Sequence, residues 1–254
     1  LELPLAKLLS EMEDAGIAVD LKKLNSLQVE FEKIANGYEK DSFKIVGHEF
    51  NLASPKQLQT VLFDERKLPK TKKTKTGYTT DATALEELFA STKDPLLSLI
   101  LKWRDITKLK QVAASLIPLV DKESRIHTTF NQTITSTGRL SSTEPNLQNI
   151  PIRTDQGKRI RDCFINAKNY ECLLTADYSQ IEMRIMAHLS KDPGLINAFK
   201  SGEDLHTTSA ALVFGVKPNE VNEELRRQIK AISYGLAYGM GAYGLSKSLD
   251  IEVS

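Results

Sequence analysis

The chain has 254 residues, of which 41% are hydrophobic and 26% are charged, and this balance excludes a disordered or collagen-like protein. Its net charge of +1 excludes a strong overall attraction to polyanions, so any contact with nucleic acid must come from local basic clusters. The longest apolar runs are too short to cross a bilayer, and two cysteines without metal-ligand spacing support neither a disulfide framework nor a zinc site. We therefore expect a cytosolic, globular protein.

The first half of the chain is predicted to be helical. Apolar residues at helical spacing open the sequence, and Gly16 is expected to end that first helix. A second helix is predicted at about residues 21–38, and Ser54 followed by Pro55 is typical of the start of a third. Further helices are expected in residues 81–90 and 95–120.

A basic segment interrupts these helices. Residues 66–75 hold six basic side chains and no acidic one, and they are predicted to form a loop that ends near Gly77. Residues 153–162 are also mostly basic. A solvated surface explains each segment when it is taken alone, so neither segment by itself indicates a binding site.

Strands are predicted after residue 124, where β-branched residues and turn formers replace the helical pattern. A short apolar strand is then expected to end at Asp177 and to lead into a helix. Asp204 is expected to cap the next helix, and a last helix is predicted from about residue 226. Ile181, Ile185 and Leu189 are expected to lie on one face of the helix after Asp177.

Asp177 is the first candidate for chemistry, because α/β proteins often bind ligands where a buried strand ends and a helix follows. A carboxylate at that point can serve as a catalytic group or as a metal ligand. Ser179 and Glu182, however, have the S-x-x-E spacing of a capping box, which predicts only the start of a helix. From these residues alone the structural interpretation is the stronger one.

The last helix carries two cations and two aromatic rings at a step of four residues. Arg226, Lys230, Tyr234 and Tyr238 drift by about 40° per step and form one stripe roughly 18 Å long. A nucleoside triphosphate has a matching layout, since its phosphates attract cations and its sugar and base pack on aromatic faces. An amphipathic helix whose tyrosines pack in a core is the alternative, and the residues alone leave both open.

Other nucleotide-binding patterns are missing from the sequence. It contains neither the P-loop pattern nor the Rossmann glycine pattern after a strand, which disfavours both of these classes. His206, in a first helical turn, is more typical of a surface or packing residue than of a ligand. His127 and His188 have the same ordinary interpretation.

Four segments of the sequence resemble motifs of the family A DNA polymerases. They are TSTGRLSSTEPNLQNIPIR at residues 135–153, ADYSQIEMRIMAHLS at residues 176–190, GEDLHTTSA at residues 202–210, and the R-x3-K-x3-Y-x3-YG run from Arg226. They occur in the family's order with similar gaps. The resemblance extends more loosely over the residues before His127.

The resemblance implies an α+β, predominantly helical fold with the right-hand architecture of polymerases. The expected parts are a helical thumb, a partial β palm and helical fingers. The chain is expected to divide into N-terminal helices at residues 1–40, a thumb at 41–122, a partial palm at 123–190 and partial fingers at 191–254.

The resemblance also implies roles for individual residues. Asp177 is expected to be the first catalytic carboxylate and, with Tyr178, to bind two Mg²⁺ ions that promote in-line phosphoryl transfer. Glu182 is expected to crowd the sugar 2′ position, and Tyr234 to stack on the incoming nucleotide where many relatives carry Phe. The residues expected to bind the nucleotide are Gln180, Glu182, His206, Arg226, Lys230, Tyr234 and Arg153. Those expected to bind DNA are Arg139, Asn146, Gln148, Tyr238, Lys70, Lys72 and Lys73.

The implied function is DNA-templated DNA synthesis in replication and repair. The expected partners are primer-template DNA and deoxynucleoside triphosphates (dNTPs), bound by a monomer in the bacterial cytoplasm, at the nucleoid. The resemblance also makes contact with the DNA backbone the preferred interpretation of the Lys-rich segment.

One family motif does not occur in the sequence. The family's second catalytic carboxylate lies in a His-Asp-Glu hairpin, and the 254 residues contain no such tripeptide. Because Mg²⁺ needs protein carboxylates as well as phosphate oxygens, the chain is expected to be a fragment that is inactive alone. The alternatives are a non-catalytic nucleic-acid-binding module and, third, a structural or protein-interaction domain.

Overall fold

The computed structural model describes residues 2–75, 77–152, 154–202 and 204–249. The chain divides into two compact units, Leu1–Leu174 and Thr175–Ser254, and each has its own architecture. The chain is 61% helical with few strands, which confirms the predicted α+β, predominantly helical class. No helix in the described ranges is both long and apolar enough to cross a membrane.

The described part of the first unit contains six α-helices and seven short strands. The helices are α1 (Glu2–Ala15), α2 (Leu21–Val46), α3 (Pro55–Gln59), α4 (Ala82–Thr92), α5 (Pro95–Leu116) and α6 (Asp155–Arg161). The strands are β1 (Ile17–Val19), β2 (Lys73–Thr74), β3 (Gly77–Tyr78), β4 (Arg125–Ile126), β5 (Thr129–Asn131), β6 (Ser141–Thr143) and β7 (Phe164–Ile165). A π-helix (Thr60–Glu65) and two 3₁₀ turns (Ile117–Leu119 and Leu147–Asn149) lie between them.

Helices α2 and α5 form the spine of the first unit. The Asp20 carboxylate starts α2 by accepting a hydrogen bond from the Lys23 amide at 2.9 Å. Apolar residues recur every three or four positions along α2, so one face is buried against α5. The buried residues are Leu24, Leu27, Phe31 and Ala35 of α2, and Ile106, Leu109, Ala113 and Leu116 of α5. Burying each of the larger side chains stabilises the fold by about 1.5–3 kcal/mol.

Helix α2 is longer than the sequence predicts, because it ends at Val46 and not near residue 38. Gly37 lies inside the helix, where glycine costs about 1 kcal/mol relative to alanine without ending the helix. Phe43 and Val46 pack against a second apolar cluster, which supports the added turns. Gly47 then ends the helix with a φ of 90°, and its amide donates to the Phe43 carbonyl at 2.7 Å.

The second apolar cluster lies among α3, the π-helix, α4 and the start of α5. As predicted, Ser54 is the N-cap of α3 and Pro55 lies in its first turn. The cluster's fully buried leucine and isoleucine side chains are Leu52, Leu58, Leu62, Leu85, Leu96, Leu97 and Ile100.

The basic segment is a loop over residues 66–72, as predicted, but its end forms an antiparallel hairpin of β2 and β3. The Gln59 side-chain oxygen accepts a hydrogen bond from the Tyr78 amide at 2.9 Å. The Tyr78 ring packs edge-on against Phe63, with 5.4 Å between the ring centroids. These contacts fix the hairpin to the second apolar cluster. We call residues 70–78 the lysine hairpin.

Strand β1, which the sequence analysis misses, is the centre of a three-stranded antiparallel sheet in the order β4-β1-β7. Ala18 pairs with Arg125 on one side and with Ile165 on the other. Three residues between two helices are too few to show an alternating pattern. The strands predicted in residues 125–142 are confirmed as β4 to β6, and β5 pairs with β6. The sequence did not predict β7.

The second unit is a small helical assembly. Its described elements are α7 (Ile181–Ser190), α8 (Pro193–Ser201), α9 (Leu205–Phe214), α10 (Glu223–Ala237), α11 (Ala242–Leu249) and a 3₁₀ turn (Pro218–Glu220). Its core consists of Met183, Ala198 and Leu205, against which Met186, Leu195, Phe199 and Tyr234 pack.

The apolar strand predicted to end at Asp177 is wrong. Residues 172–178 have no regular secondary structure and are exposed. A strand is stable only when a neighbouring strand pairs with its backbone, and no described segment pairs with these residues.

The three residues predicted to share one face of α7 do so, but that face is not the buried one. Ile181, Ile185 and Leu189 are 43%, 50% and 75% exposed, whereas Met183 and Ala187 are buried. Both sets of residues are apolar at helical spacing, so periodicity does not distinguish them. Packing within the second unit decides which face is buried.

Candidate functional site

Helix α10 carries the predicted stripe. Asn222 starts the helix, and its side-chain oxygen accepts a hydrogen bond from a first-turn amide at 2.9 Å. Arg226, Lys230 and Tyr234 lie inside the helix, and Tyr238 is the residue at its C-cap. The first three residues therefore share one helical face, and the fourth continues it at the helix end.

The four stripe residues differ in burial. Arg226 and Lys230 are exposed, whereas Tyr234 is half-buried and packs against the core of the second unit. Tyr238 is 66% exposed. Core packing thus accounts in part for the ring of Tyr234, but it accounts neither for Tyr238 nor for the two cations.

The start of α9 lies against this face of α10. His206 is only 4% exposed, its ring centroid is 6.2 Å from that of Tyr234, and its Nδ1 has no hydrogen-bond partner in the described part of the chain. Asp204 is at the predicted N-cap position of α9, and its Oδ2 lies 2.9 Å from Nη2 of Arg226. The Thr207 hydroxyl donates to the same oxygen at 2.6 Å.

We call Asp204, His206, Arg226, Lys230 and Tyr234 the α9–α10 cluster. Burial lowers the pKa of His206, and the positive charges of Lys230 and Arg226 lower it further, against the opposing effect of Asp204. The imidazole is therefore neutral near pH 7. A buried polar atom without a partner costs about 1–3 kcal/mol, so a ligand that bonds to Nδ1 would recover that free energy.

The Asp204 carboxylate is ionised beside this imidazole. Partial burial opposes ionisation, but the hydrogen bond from Thr207 and the charge of Arg226 outweigh it and lower the pKa of Asp204. The cluster thus combines two exposed cations and one anion with the buried ring of His206 and the half-buried ring of Tyr234.

Asp177 lies ahead of α7, in exposed backbone without regular structure. Gln180 occupies the N-cap of α7 with a left-handed φ of 52°. The predicted capping box of Ser179 and Glu182 is therefore wrong, because the helix starts one residue later than that pattern requires. The Arg184 side chain donates to the Ser179 carbonyl at 2.9 Å and holds the turn.

The described residues do not form a complete metal site. They contain no group of three or more His, Cys, Asp or Glu side chains that could hold a metal ion. Asp177 and Tyr178 are both exposed. Mg²⁺ is usually bound by one or two carboxylates together with water and substrate phosphates. Asp177 therefore fits as one ligand, but these residues do not fit a site for two ions.

Three residues predicted to bind DNA lie close together in the first unit. Asn146 starts the second 3₁₀ turn, where its Oδ1 accepts from the Gln148 amide at 3.0 Å. The Gln148 side chain donates to the Leu140 carbonyl at 3.1 Å, which places it next to Arg139. Asn146, Gln148 and Arg139 are all exposed. Arg153, predicted to bind the nucleotide, lies outside the described residues.

The other predicted DNA contacts are in the lysine hairpin. Lys70, Lys72 and Lys73 are exposed, and Nζ of Lys70 lies 5.1 Å from the centre of the Tyr78 ring. Arg66, at the start of the basic segment, pairs with Asp94 at 2.6 Å and is half-buried. The first cation of the segment is therefore structural, while the three lysines face solvent.

These motifs belong to one known family. The sequence profile described as DNA polymerase family A matches residues 21–254. The chain belongs to DNA polymerase family A. The predicted resemblance is thereby confirmed.

Two bacterial members of the family have similar sequences. The chain is 59% identical over 252 residues to the DNA polymerase I of Mycobacterium tuberculosis and 46% identical over 253 residues to that of Bacillus subtilis. Each match covers 99% of this chain and 28% of the relative, so the chain spans about a quarter of the length of these family A polymerases.

A solved structure of a family A polymerase has the same fold. It is described as the POL domain of Pol1 from M. smegmatis in complex with DNA primer-template and dNTP. The match has a TM-score of 0.94 and 59% identity, and it covers 100% of this chain and 45% of that one. The predicted right-hand polymerase architecture is confirmed by this likeness.

Sequence analysis misses two residues that organise these family A surfaces. It predicts Asp204 only as a helix cap, although the carboxylate also pairs with Arg226. It gives no role to Gln59, whose side chain holds the lysine hairpin. Both contacts join residues that are distant in the sequence, so local spacing contains no signal for either.

Proposed function

We propose that this chain takes part in DNA-templated DNA synthesis, in which deoxynucleotides from dNTPs are added to a primer 3′ end. Membership of family A supports the proposal, as does the likeness to a domain described with primer-template and dNTP. The observation that carries it is the α9–α10 cluster, where two cations, a buried imidazole and an aromatic ring meet on one surface. We further propose that the polymerase works as a monomer in replication and repair, in the bacterial cytoplasm at the nucleoid.

In this proposal the second unit binds the incoming nucleotide. Arg226 and Lys230 bind the phosphates through charge-assisted hydrogen bonds, and the N-terminus of α9 adds partial positive charge. The unpaired Nδ1 of His206 lies at the same place. Tyr234 stacks on the nucleotide, and Glu182 crowds the sugar 2′ position. Gln180 and Arg153 complete the proposed contacts.

Asp177 is the proposed catalytic carboxylate. We propose two Mg²⁺ ions as cofactors, for which this chain supplies the Asp177 carboxylate and the Tyr178 carbonyl. Such ions polarise phosphoryl oxygens and activate a hydroxyl nucleophile when bound. The remaining ligands must come from water, from the substrate and from other residues. Asp177 therefore contributes one part of a site that the described residues do not complete.

The first unit is proposed to hold the primer-template. Its exposed lysines Lys70, Lys72 and Lys73 contact the duplex backbone, a contact that is independent of sequence and dominated by counterion release. Arg139, Asn146 and Gln148 contact DNA near the growing end, with Tyr238 near the templating base.

The proposed division by role is N-terminal helices at residues 1–40, thumb at 41–122, palm at 123–190 and fingers at 191–254. Helix α2 runs through residues 40 and 41 without a break. The first boundary therefore separates roles and not elements of secondary structure.

The test is primer extension by a chimera in which this chain replaces the matching segment of the 59% identical M. smegmatis domain. We expect the chimera to extend a primer and Asp177→Ala to lower turnover by about 10³-fold or more, the scale of losing a group that acts on the reacting atoms. Its affinity for primer-template should stay within about twofold, because the carboxylate acts on the transition state and not on duplex binding. Asp64→Ala removes another exposed carboxylate and should leave turnover unchanged.

The failures of this test point to the alternatives. A chimera that binds primer-template without extending it would favour a non-catalytic binding module. A chimera that neither binds nor extends would favour a structural domain. Equal losses of DNA affinity and of turnover in Asp177→Ala would remove Asp177 from the chemistry.

A further inference from the structure

Arg226 is already engaged in the α9–α10 cluster. Its Nη2 lies 2.9 Å from Oδ2 of Asp204, and the two side chains are 45% and 31% exposed. The Thr207 hydroxyl donates to the same oxygen at 2.6 Å and so fixes the carboxylate in place. The guanidinium thus has an anionic partner before any ligand binds.

A carboxylate and a phosphate bind to the same N–H groups of a guanidinium. The carboxylate is planar and the phosphate is tetrahedral, but the anionic oxygens of both accept hydrogen bonds from the guanidinium nitrogens, often two at a time. The Asp204 carboxylate already neutralises part of the charge of Arg226 in this ion pair, and that charge cannot stabilise Asp204 and a phosphate in full at the same time. Asp204 and a phosphate group at this position therefore compete.

We infer that Asp204 is an internal competitor for Arg226, which a triphosphate must displace in order to bind. The inference rests on the proposed nucleotide-binding role of the α9–α10 cluster. It adds a residue that controls affinity: Asp204 weakens triphosphate binding and speeds release, because it recaptures the guanidinium as the ligand leaves.

The surroundings allow the carboxylate to give up Arg226. After release, Oδ2 keeps the hydrogen bond from Thr207, and the side chain is exposed enough to be hydrated. The lowered pKa of Asp204 keeps it ionised and able to rebind. A triphosphate in turn gains a contact that Asp204 does not make, since Lys230 is exposed on the same face of α10 as Arg226.

The experiment measures binding of dATP and of inorganic tripolyphosphate to the 254-residue chain by equilibrium dialysis at low salt. Asp204→Asn keeps the shape and the N-cap preference of the side chain but removes its charge. We expect both ligands to bind about two- to fivefold more tightly, the range that corresponds to one partly exposed ion pair. Asp204→Ser, also a good N-cap, should give the same gain, and the charge-preserving Asp204→Glu should not.

The same substitution in an Arg226→Ala variant shows whether Asp204 competes with the ligand for Arg226 or only repels the ligand. In Arg226→Ala, the added Asp204→Asn change should alter affinity by less than about 1.5-fold, because no guanidinium remains to be shared. An equal gain in both backgrounds would mean that Asp204 only repels the ligand, and the inference would be overturned.

The outcomes also separate this inference from the proposed function. If the unmutated chain binds neither ligand, the proposed nucleotide site fails and the inference fails with it. If the unmutated chain binds both ligands but Asp204→Asn binds them equally or more weakly, the site stands and the competitor role is wrong. Circular dichroism and thermal unfolding of each variant show whether a lost affinity is only lost folding.

Discussion

The chain presents positive charge in two contrasting ways. In the lysine hairpin, four lysines are exposed on a backbone that Gln59 and Tyr78 hold in place. In the α9–α10 cluster, Arg226 is paired with an ionised carboxylate beside a buried, neutral imidazole. The first arrangement suits a long polyanion whose position along the surface varies, and the second suits one small anion at a defined place.

The lysine hairpin and the α9–α10 cluster gain their binding free energy from different sources. Exposed lysines gain mainly by releasing counterions from a nucleic acid, which requires neither burial nor fixed geometry. A partly buried cluster gains through directed hydrogen bonds, and it must offset the cost of desolvating its charged and polar groups. Substitutions in the hairpin should therefore change salt dependence, whereas substitutions in the cluster should change ligand discrimination.

Within these two regions, the largest effect is expected at Tyr234, whose ring joins the cluster to the core. In the polymerase chimera we expect dideoxynucleotides to be accepted almost as readily as deoxynucleotides, because the phenol replaces the contact of the missing 3′-hydroxyl. Tyr234→Phe should restore a discrimination of about one to two decades, since an unpaired polar group in a closed site costs about 1–3 kcal/mol. The measurement is the ratio of kcat/KM for the two substrates.

A matched control sharpens this prediction. Tyr78→Phe changes a tyrosine in the lysine hairpin and should leave the substrate ratio unchanged. Strong discrimination by the unmutated chimera, or no change in Tyr234→Phe, would place the phenol away from the sugar.

The next effect is expected in the lysine hairpin. Changing Lys70, Lys72 and Lys73 to Ala should weaken binding to all duplex sequences alike and reduce the salt dependence by about 0.9 in log-log slope per contact. Fluorescence anisotropy of duplex binding by the 254-residue chain at several salt concentrations gives that slope. Removing the same charge at the exposed Lys33, Lys40 and Lys168 is the control. An unchanged slope in the hairpin variant would mean that the hairpin is only a solvated surface.

A smaller effect is expected from a substitution that changes the position of the lysine hairpin and leaves its charge unchanged. Gln59→Ala removes the side chain that accepts the Tyr78 amide, so the free energy of unfolding should fall by about 1 kcal/mol. DNA affinity should fall about two- to threefold while the salt slope stays the same, because all the lysines remain. Gln111→Ala, at an exposed position of α5, is the control. A changed slope would show that Gln59 affects which lysines reach the phosphates.

The smallest effects are expected from pH, and they have opposite signs in the two units. Both ring nitrogens of His127 face oxygens, at 2.7 Å from the Glu13 carbonyl and 3.2 Å from the Asp121 carboxylate. These contacts, the Glu13 carbonyl first, raise the pKa of His127. Its stabilising contribution is therefore complete below about pH 6.5 and is lost as pH rises through the raised pKa. His206, whose pKa is lowered by burial, instead destabilises the fold as pH falls below about 6.5.

Chemical unfolding between about pH 5.5 and 8 checks both signs. The unmutated chain should lose stability toward high pH because of His127, and His127→Gln should remove that loss. It should also lose stability toward low pH because of His206, and His206→Gln should remove that loss. Since the His127 side chain is 40% exposed, its effect should stay below about 1 kcal/mol. If both substitutions changed the pH dependence of stability in the same direction, the contacts described for one of the two histidine rings would be wrong.

Much of the candidate site could be predicted from local sequence. The step of four residues predicts that Arg226, Lys230 and Tyr234 share a face, and the structure confirms the helix that carries them. Family motifs added His206 as a candidate and gave Asp177 a specific role, and the proposed roles of both residues stay predictions. What spacing could not predict is that His206 is buried with Nδ1 unpaired, because that depends on the residues of α10 packed against it.

The sequence by itself determined the starts of α3 and α9, the cationic stripe, the density of lysines and the family, because each depends on residues within a few turns of one another. Only the tertiary structure decided that the basic segment ends in a hairpin, that residues 172–178 form no strand and that α7 buries Met183 and not Ile185. It alone paired Asp204 with Arg226. Each of these outcomes depends on a partner that is distant in the sequence, and packing and pairing with distant partners override local propensity.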